Sequence, residues 1–348
     1  MRRFDYSFIK KLRISTGTVT LMNKLELSNF KNNERKKVDK DVFSALESPA
    51  RIGSVKGSNA IEGIITTDER IEKIVNENSA PLNHDEEEIA GYRDVLDMIH
   101  GDPGRYDIDE NNILNMHRIM LSHTRTGGGR YKERNNLIIS EGPEGTREVL
   151  FRPVPHEETH RSMEQLILAY IDARDDSGID PIILIPCFIL DFLCIHPLID
   201  GNGRVSRLLS ILMMYKIGID VGRYISFEGQ INKYKKNYYE SLQRSSKDWH
   251  ICKNDYVPFI ENFIFTLHTC YRELDMRFDV IGDKKINKNN RIEAAVLNSF
   301  GSVSKREIKE LLPDISITTI EAKLSELLKS GKIKKIGSYV DARYARNK

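Results

Sequence analysis

The strongest hydrophobic signal in the chain is the run Ile182 to Ile195, apolar with hardly an interruption and followed by His196 and Pro197. Proline disfavours helical geometry in the residue before it, so the pattern predicts a buried rod over 181–195 that stops at His196. Leu208, Leu209, Leu212 and Met213 recur at helical spacing and predict a second helix over 203–217 with its own buried stripe. Amphipathic helices are expected over 4–28 and 40–57, with the charged stretch Asn32 to Lys40 as a solvated loop between them. Others follow at 67–77, 85–100, 109–122, 156–174, 227–246 and 254–279; in the third, Ile113, Met116 and Met120 mark the apolar face. Strand-like runs are few. Leu137 to Ile139 and Val149 to Arg152 flank Glu141-Gly-Pro-Glu-Gly145, a hairpin signal.

Beyond a Lys- and Asn-rich linker at 282–290, Lys and Arg outnumber Asp and Glu. Three short helices at 291–300, 304–312 and 316–330 precede a hairpin of Ile333 to Ile336 with Tyr339 to Tyr344. Helix-helix-helix-hairpin, with a Ser304-x-x-Glu307 cap, looks like a winged helix. Its third helix offers Glu321, Lys323, Glu326 and Lys329, a mixed face without the arginine that most often reads guanine. Protein contact or homodimerisation is therefore placed ahead of DNA binding, with phosphate contacts through Lys332, Lys334 and Lys335 left open. The expected organisation is mainly α: an N-terminal helical region 1–108, a core 109–280 and a winged-helix domain 288–348.

Composition narrows the class only slightly. A chain of 348 residues with 40% hydrophobic and 30% charged residues and a formal net charge of +2 is ordinary for a water-soluble globular protein. Cys187, Cys194, Cys252 and Cys270 lie in apolar helical stretches without metal-ligand spacing and read as reduced core thiols of a cytoplasmic protein. No apolar segment follows Met1-Arg-Arg-Phe-Asp5, so no secretory signal is expected. The longest apolar run is too short for a bilayer and contains Pro186 and Asp191, so no membrane association is expected.

The chemistry concentrates between the two central helices, in His196-Pro-Leu-Ile-Asp200-Gly-Asn202-Gly-Arg204-Val-Ser-Arg207. Gly201 and Gly203 let backbone amides approach a ligand, and the helix N-terminus adds partial positive charge, which together make an anion site. Arg204 and Arg207, three apart in the first turn, add two permanent cations suited to a polyphosphate. Asp200 is a hard oxygen ligand of the kind that holds Mg2+ together with substrate oxygens. His196 can act as a base near neutral pH, its ordinary pKa being about 6.5. The plain alternatives are two tight turns and a packed core histidine. A calcium loop is discounted because Arg204 takes a ligand position and no Glu closes the loop. Thr126-Gly-Gly-Gly129-Arg130-Tyr131 lacks the Gly-Lys-Ser/Thr ending of a P-loop and reads as a flexible lead-in.

The run from His196 to Arg207 resembles the Fic signature, His-x-Phe-x-(Asp/Glu)-Gly-Asn-Gly-Arg-x-x-Arg, with Leu198 where Phe is usual. The resemblance implies a Fic/Fido helical core with a β-hairpin flap and transfer of AMP from ATP to a Ser, Thr or Tyr hydroxyl of a target protein. By it, His196 deprotonates the hydroxyl, Asp200 holds Mg2+, Asn202 with the Gly201 and Gly203 amides fixes the α-phosphate, and Arg204 and Arg207 take the β- and γ-phosphates. Val149, Leu150, Phe151 and Arg152 would be the flap residues nearest the nucleotide, registering the target by strand addition. Tyr238 would border the base, although the family's Asn further along that helix is replaced here by Ser245 and Ser246. Ser58-x-x-x-Glu62-Gly63, otherwise a helix stop, resembles the family's (Ser/Thr)-x-x-x-Glu-(Gly/Asn) inhibitory motif. It implies that Glu62 pairs with Arg207 and restrains the enzyme, and the family also allows Glu62 to serve in removing AMP. A reading of another class is a transcription regulator that uses the winged helix, with the nucleotide site as a sensor.

Overall fold

The computed structural model describes residues 2–141, 147–281, 288–297, 302–312, 315–337 and 342–347. Helices α1 to α5 span Thr16–Val38, Lys40–Ile61, Asp68–Glu77, His84–Gly101 and Glu110–Met120. Strands β1 (Ile138–Glu141) and β2 (Arg147–Phe151) come next, then α6 (His156–Arg174), α7 (Pro181–Ile195) and α8 (Asn202–Lys216). Helices α9 (Phe227–Lys233), α10 (Lys235–Ser246) and α11 (Val257–Ile281) lead to α12 (Lys288–Leu297), β3 (Val303–Ser304), α13 (Lys305–Leu311) and α14 (Ile317–Lys329). Strands β4 (Ile333–Ile336) and β5 (Arg343–Arg346) end the chain. The architecture is mainly α, as the periodicity predicts. Packing divides it into two units, Met1–Asn29 with Ala50–Cys270 and Phe30–Pro49 with Tyr271–Lys348.

The first unit is built on α7. Every residue from Ile182 to Ile195 is buried, and the helix packs on α6 and α8. Its one charge, Asp191, is fully buried and accepts hydrogen bonds from Tyr6 Oη (2.9 Å), Trp249 Nε1 (2.6 Å) and Tyr256 Oη (2.9 Å). Arg2 lies 3.8 Å away. Burial pushes the Asp191 carboxyl up, while the arginine and the three donors pull it down. This cluster explains why 4–15 is not the start of a long helix. Phe4, Tyr6 and Ile9 turn inward around a short 3₁₀ segment, Ser7–Lys11, and α1 begins only at Thr16, where Ser15 Oγ accepts from Thr18 N. The expected helix 227–246 is two helices, interrupted at Tyr234, which leaves helical geometry (φ −112°, ψ 32°) and sets its ring edge-on to Phe265. Cys187, Cys194 and Cys270 are core thiols as expected, but Cys252 is exposed in a turn at φ 57°.

In the second unit, the stretch expected as loop at 32–40 is helical as far as Val38. Tertiary contacts override its polarity: Asn32 is buried, and Arg35 bonds Asp275 at 2.5 Å with its guanidinium 4.5 Å from the centre of the Phe278 ring. Helices α12 to α14 enclose an apolar core with Val303, Ile333 and Tyr344. Along α14 the buried positions Ile320, Leu324 and Leu327 follow helical spacing. Strands β3, β5 and β4 form an antiparallel sheet in that order, and Ser304 closes a capping box with Glu307. Among the described residues the second hairpin strand spans Arg343–Arg346; the expected start at Tyr339 falls in 338–341, which lie outside the described residues, as do the turn 142–146 and linker residues 282–287. Lys323 does not belong to a solvent face. It is buried and paired with Glu293 (3.3 Å) and Glu326 (2.7 Å), while Glu321 is held by Lys305. Among the described residues no helix is long and apolar enough to cross a membrane.

Asp191→Ala leaves three buried donors and a nearby guanidinium without their acceptor. A loss of about 3–5 kcal/mol in urea-denaturation stability is expected. A loss below about 1 kcal/mol would contradict the role given to this carboxylate.

Candidate active site

The signature run folds as two helix ends facing one loop. His196 caps α7: its N–H donates to Phe192 O, and with Pro197 next it takes the left-handed conformation, φ 51° and ψ 58°. The imidazole is half-buried, and Nδ1 lies 3.2 Å from Leu193 O. A carbonyl can only accept, so Nδ1 carries the proton and Nε2 keeps its lone pair. Burial lowers the His196 pKa to about 4, with the Lys132 charge acting in the same direction; the Leu193 carbonyl, Glu62 and Asp200 oppose it. The side chain is thus a neutral imidazole at physiological pH.

Asn202, the first residue of α8, is buried and its amide is used on the loop itself. Oδ1 accepts from Leu198 N (2.9 Å) and Nδ2 donates to Leu198 O (2.8 Å), while Leu198 is fully buried. Asp200 is exposed; Oδ1 accepts from Gly201 N at 2.6 Å, and Oδ2 lies 3.5 Å from Arg204 Nη2. Among the described residues no cluster of three His, Cys, Asp or Glu side chains could hold a metal by protein ligands alone. One exposed carboxylate beside a helix N-terminus nevertheless fits Mg2+, which keeps water and substrate oxygens for most of its shell.

The two arginines engage different helices. Arg204 is buried against Glu88 of α4. Arg207 is 2% exposed and turns to the last turn of α2. There Nε donates to Ser58 Oγ (2.8 Å), and Nη2 donates to Ser58 O (3.0 Å) and Glu62 Oε1 (2.7 Å). Ser58 and Glu62 are one turn apart and so share a face. The helix stop and the motif coincide: Ile64 N bonds Asn59 O, Gly63 N bonds Ala60 O, and Gly63 sits at φ 83°, a Schellman ending that turns the chain away just past Glu62. Lys235 of α10 adds a bond from Nζ to Ile61 O at 2.7 Å. Glu62 Oε1 also crowds Gly203 so closely that a Cβ there would collide with it. A carboxylate therefore occupies the N-terminal end of α8, where an anion is expected.

Around this centre, Tyr238 is buried beside Arg207 and packs on Phe259 and edge-on to Tyr239, the more exposed ring of the pair. Strands β1 and β2 pair antiparallel, with Ile139 opposite Val149 and Ser140 opposite Glu148. Val149 and Leu150 are exposed; Phe151 stacks on His250, which donates from Nε2 to Arg152 O at 2.7 Å. Sequence reasoning missed four residues here. Glu88 holds Arg204; His117 is buried with Nδ1 accepting from Gly129 N (3.1 Å); Lys132 and Asn136 bond the backbone of the loop. The glycine cluster packs against this histidine, so closely that a Cβ on Gly128 would strike His117 O. Only the buried spacing of α5 hinted at His117, and nothing local separated Glu88 from its acidic neighbours.

Comparison with known proteins agrees with this geometry. Residues 107–214, from the approach to α5 through most of α8, match the model of the Fic/DOC family. The whole chain is similar in structure to a Fic family protein from Desulfovibrio desulfuricans G20, at 20% identity and TM-score 0.61, covering 96% of this chain and 97% of that one. A Fic domain containing signaling protein from Bacteroides thetaiotaomicron VPI-5482 matches 72% of this chain over 95% of its own, at 20% identity and TM-score 0.58. Fic-1 (residues 134–508) from C. elegans matches 75% of this chain over 73% of its own, at 18% identity and TM-score 0.57. At such identities the likeness is one of fold, while the family match covers the segment bearing His196, Asp200, Arg204 and Arg207. Residues 107–214 thus match the Fic/DOC family model within a chain that shares its fold with Fic proteins.

Proposed function

We propose that this protein transfers AMP from ATP to a hydroxyl side chain of a partner protein and that Glu62 restrains the reaction. The observation that carries the reading is the Glu62 carboxylate, seated on Arg207 at the N-terminal end of α8 in the loop of the neutral His196. That end already accommodates an anion, and a polyphosphate needs the same amides and cation. In the reaction, His196 Nε2 takes the proton of the target hydroxyl as its oxygen attacks the α-phosphorus. The new bond is P–O to the side chain, the broken one is between the α-phosphorus and the oxygen bridging to the β-phosphate, and pyrophosphate leaves. Asn202 keeps the loop in shape for the α-phosphate through Leu198. Arg207 meets the γ-phosphate once Glu62 withdraws, and Arg204, balanced by Glu88, adds positive potential for the β-phosphate. When bound at Asp200, Mg2+ neutralises charge building on the leaving phosphates. Exposed Val149 and Leu150 on the hairpin offer an edge for a target segment. The transcriptional alternative is disfavoured by α14, where Lys323 and Glu321 are taken up in ion pairs.

Two tests follow. With ATP labelled on the α-phosphate and a cell lysate as acceptor, Glu62→Gly is expected to label protein at least about tenfold faster than wild type, and adding His196→Ala to remove about 100-fold or more of that rate. Equal rates for wild type and Glu62→Gly would overturn the restraint. The pH profile is the second test. Imidazole is an active base only above its pKa, which burial holds at about 4, and removing Glu62, a group that draws it upward, lowers it further. The rate should stay level from about pH 8 to about pH 5.5 and fall only below that. A fall centred near the ordinary value of about 6.5 would show His196 to be solvated in the working enzyme and would contradict the lowered pKa.

A further inference from the structure

Four successive carbonyls carry the chain across the kink at His196, and all four are held by one short segment, 132–136. Lys132 N donates to Pro197 O at 2.8 Å and Lys132 Nζ to Ile195 O at 3.1 Å. Asn136 Nδ2 spans the other two, Leu198 O at 3.2 Å and His196 O at 3.4 Å. The two side chains are themselves joined, Lys132 Nζ donating to Asn136 Oδ1 at 2.9 Å. Carbonyls at a helix C-terminus need partners from outside the helix, and a left-handed residue before proline has few of its own. The donor chosen here is costly. Lys132 is 4% exposed, burial lowers its pKa to about 8, and among the described residues no carboxylate pairs with it. A neutral side chain of similar shape would fill the same space more cheaply, so packing alone does not explain an ammonium group at this point.

The segment also leads directly into the hairpin. β1 begins two residues after Asn136, and Asn135 Oδ1 accepts from His156 N at the start of α6. The loop that presents the imidazole and the first hairpin strand thus share one support.

We propose that Lys132 and Asn136 are positioning residues for His196, fixing the backbone from which the imidazole projects and tying it to the hairpin on which the target segment would lie. The proposal rests on the AMP-transfer reading and specifies how the base and the incoming hydroxyl are brought into register. Neither residue need touch nucleotide, so their loss acts on turnover rather than on ATP affinity. The charged groups around the imidazole are Lys132 from this segment, Glu62 from α2 and Asp200 from its own loop. Removing the first leaves only the two that favour the imidazolium.

The test uses the full chain carrying Glu62→Gly, with Lys132→Met, Lys132→Arg or Asn136→Leu added. Lys132→Met and Asn136→Leu are expected to lower kcat about tenfold or more while KM for ATP and calorimetric ATP affinity change less than about threefold. Lys132→Arg, which keeps a donor and the charge, should recover at least about half of the parent kcat. Unchanged kcat, or an equal loss in kcat and in ATP affinity, would overturn the proposal. A second readout does not depend on transfer. In protein without nucleotide, the His196 ring resonance, identified by its loss in His196→Ala, should titrate about half a pH unit or more higher in Lys132→Met and close to the parent value in Lys132→Arg. An unmoved titration in a folded Lys132→Met protein would overturn the bracket whether or not AMP is transferred. A shifted titration without any transfer by the parent would sustain the bracket and sink the functional reading instead.

Discussion

A guanidinium with 2% of its surface exposed cannot be left without an anion, and that requirement on Arg207 governs the site. α2 meets it from within the chain by presenting Ser58 and Glu62 from one face of its final turn. The Schellman ending at Gly63 stops the helix just after the carboxylate, so the acidic residue stands at the end of a rigid element. Any polyphosphate bound at the start of α8 must compete for the same cation. Restraint and substrate binding, in the proposed reaction, are two solutions to one electrostatic problem.

The fold serves this arrangement by keeping both central helix ends still. α7 is buried throughout, and its single charge is satisfied by three ring donors and an arginine gathered from the two ends of the first unit. Its C-terminus then makes an abrupt left-handed turn at His196. Beyond the turn, Asn202 ties Leu198 back to α8, while Lys132 and Asn136 hold the carbonyls on the other side. The imidazole gains a defined tautomer from Leu193 O, and burial lowers its pKa so that Nε2 keeps its lone pair at physiological pH.

Much of this was legible in the sequence because it is local. An apolar run ended by proline, a loop with two glycines and a helix with arginines in its first turn write helix stop, turn and helix start into consecutive residues. The first hairpin and the helix expected over 316–330 were legible for the same reason. What escaped was decided by distant partners. Phe4, Tyr6 and Ile9 are spaced loosely enough to suggest a helix, but the cluster around Asp191 draws them inward separately. The polar run after Asn32 is helical because residues of α11 meet it. Glu88 is one of several acidic residues in the first turns of α4, and only the fold selects it for Arg204. Lys132 and Asn136 sit in a charged stretch whose composition resembles any solvated loop.

The competition at Arg207 is tested most directly by calorimetric binding of ATP and of AMP to wild-type protein and to Glu62→Gln. The variant keeps the shape of the side chain but loses its charge. The account predicts that ATP affinity rises by about tenfold or more while AMP, which lacks the distal phosphates, gains less than about threefold. Equal gains for both nucleotides, or none for ATP, would contradict it.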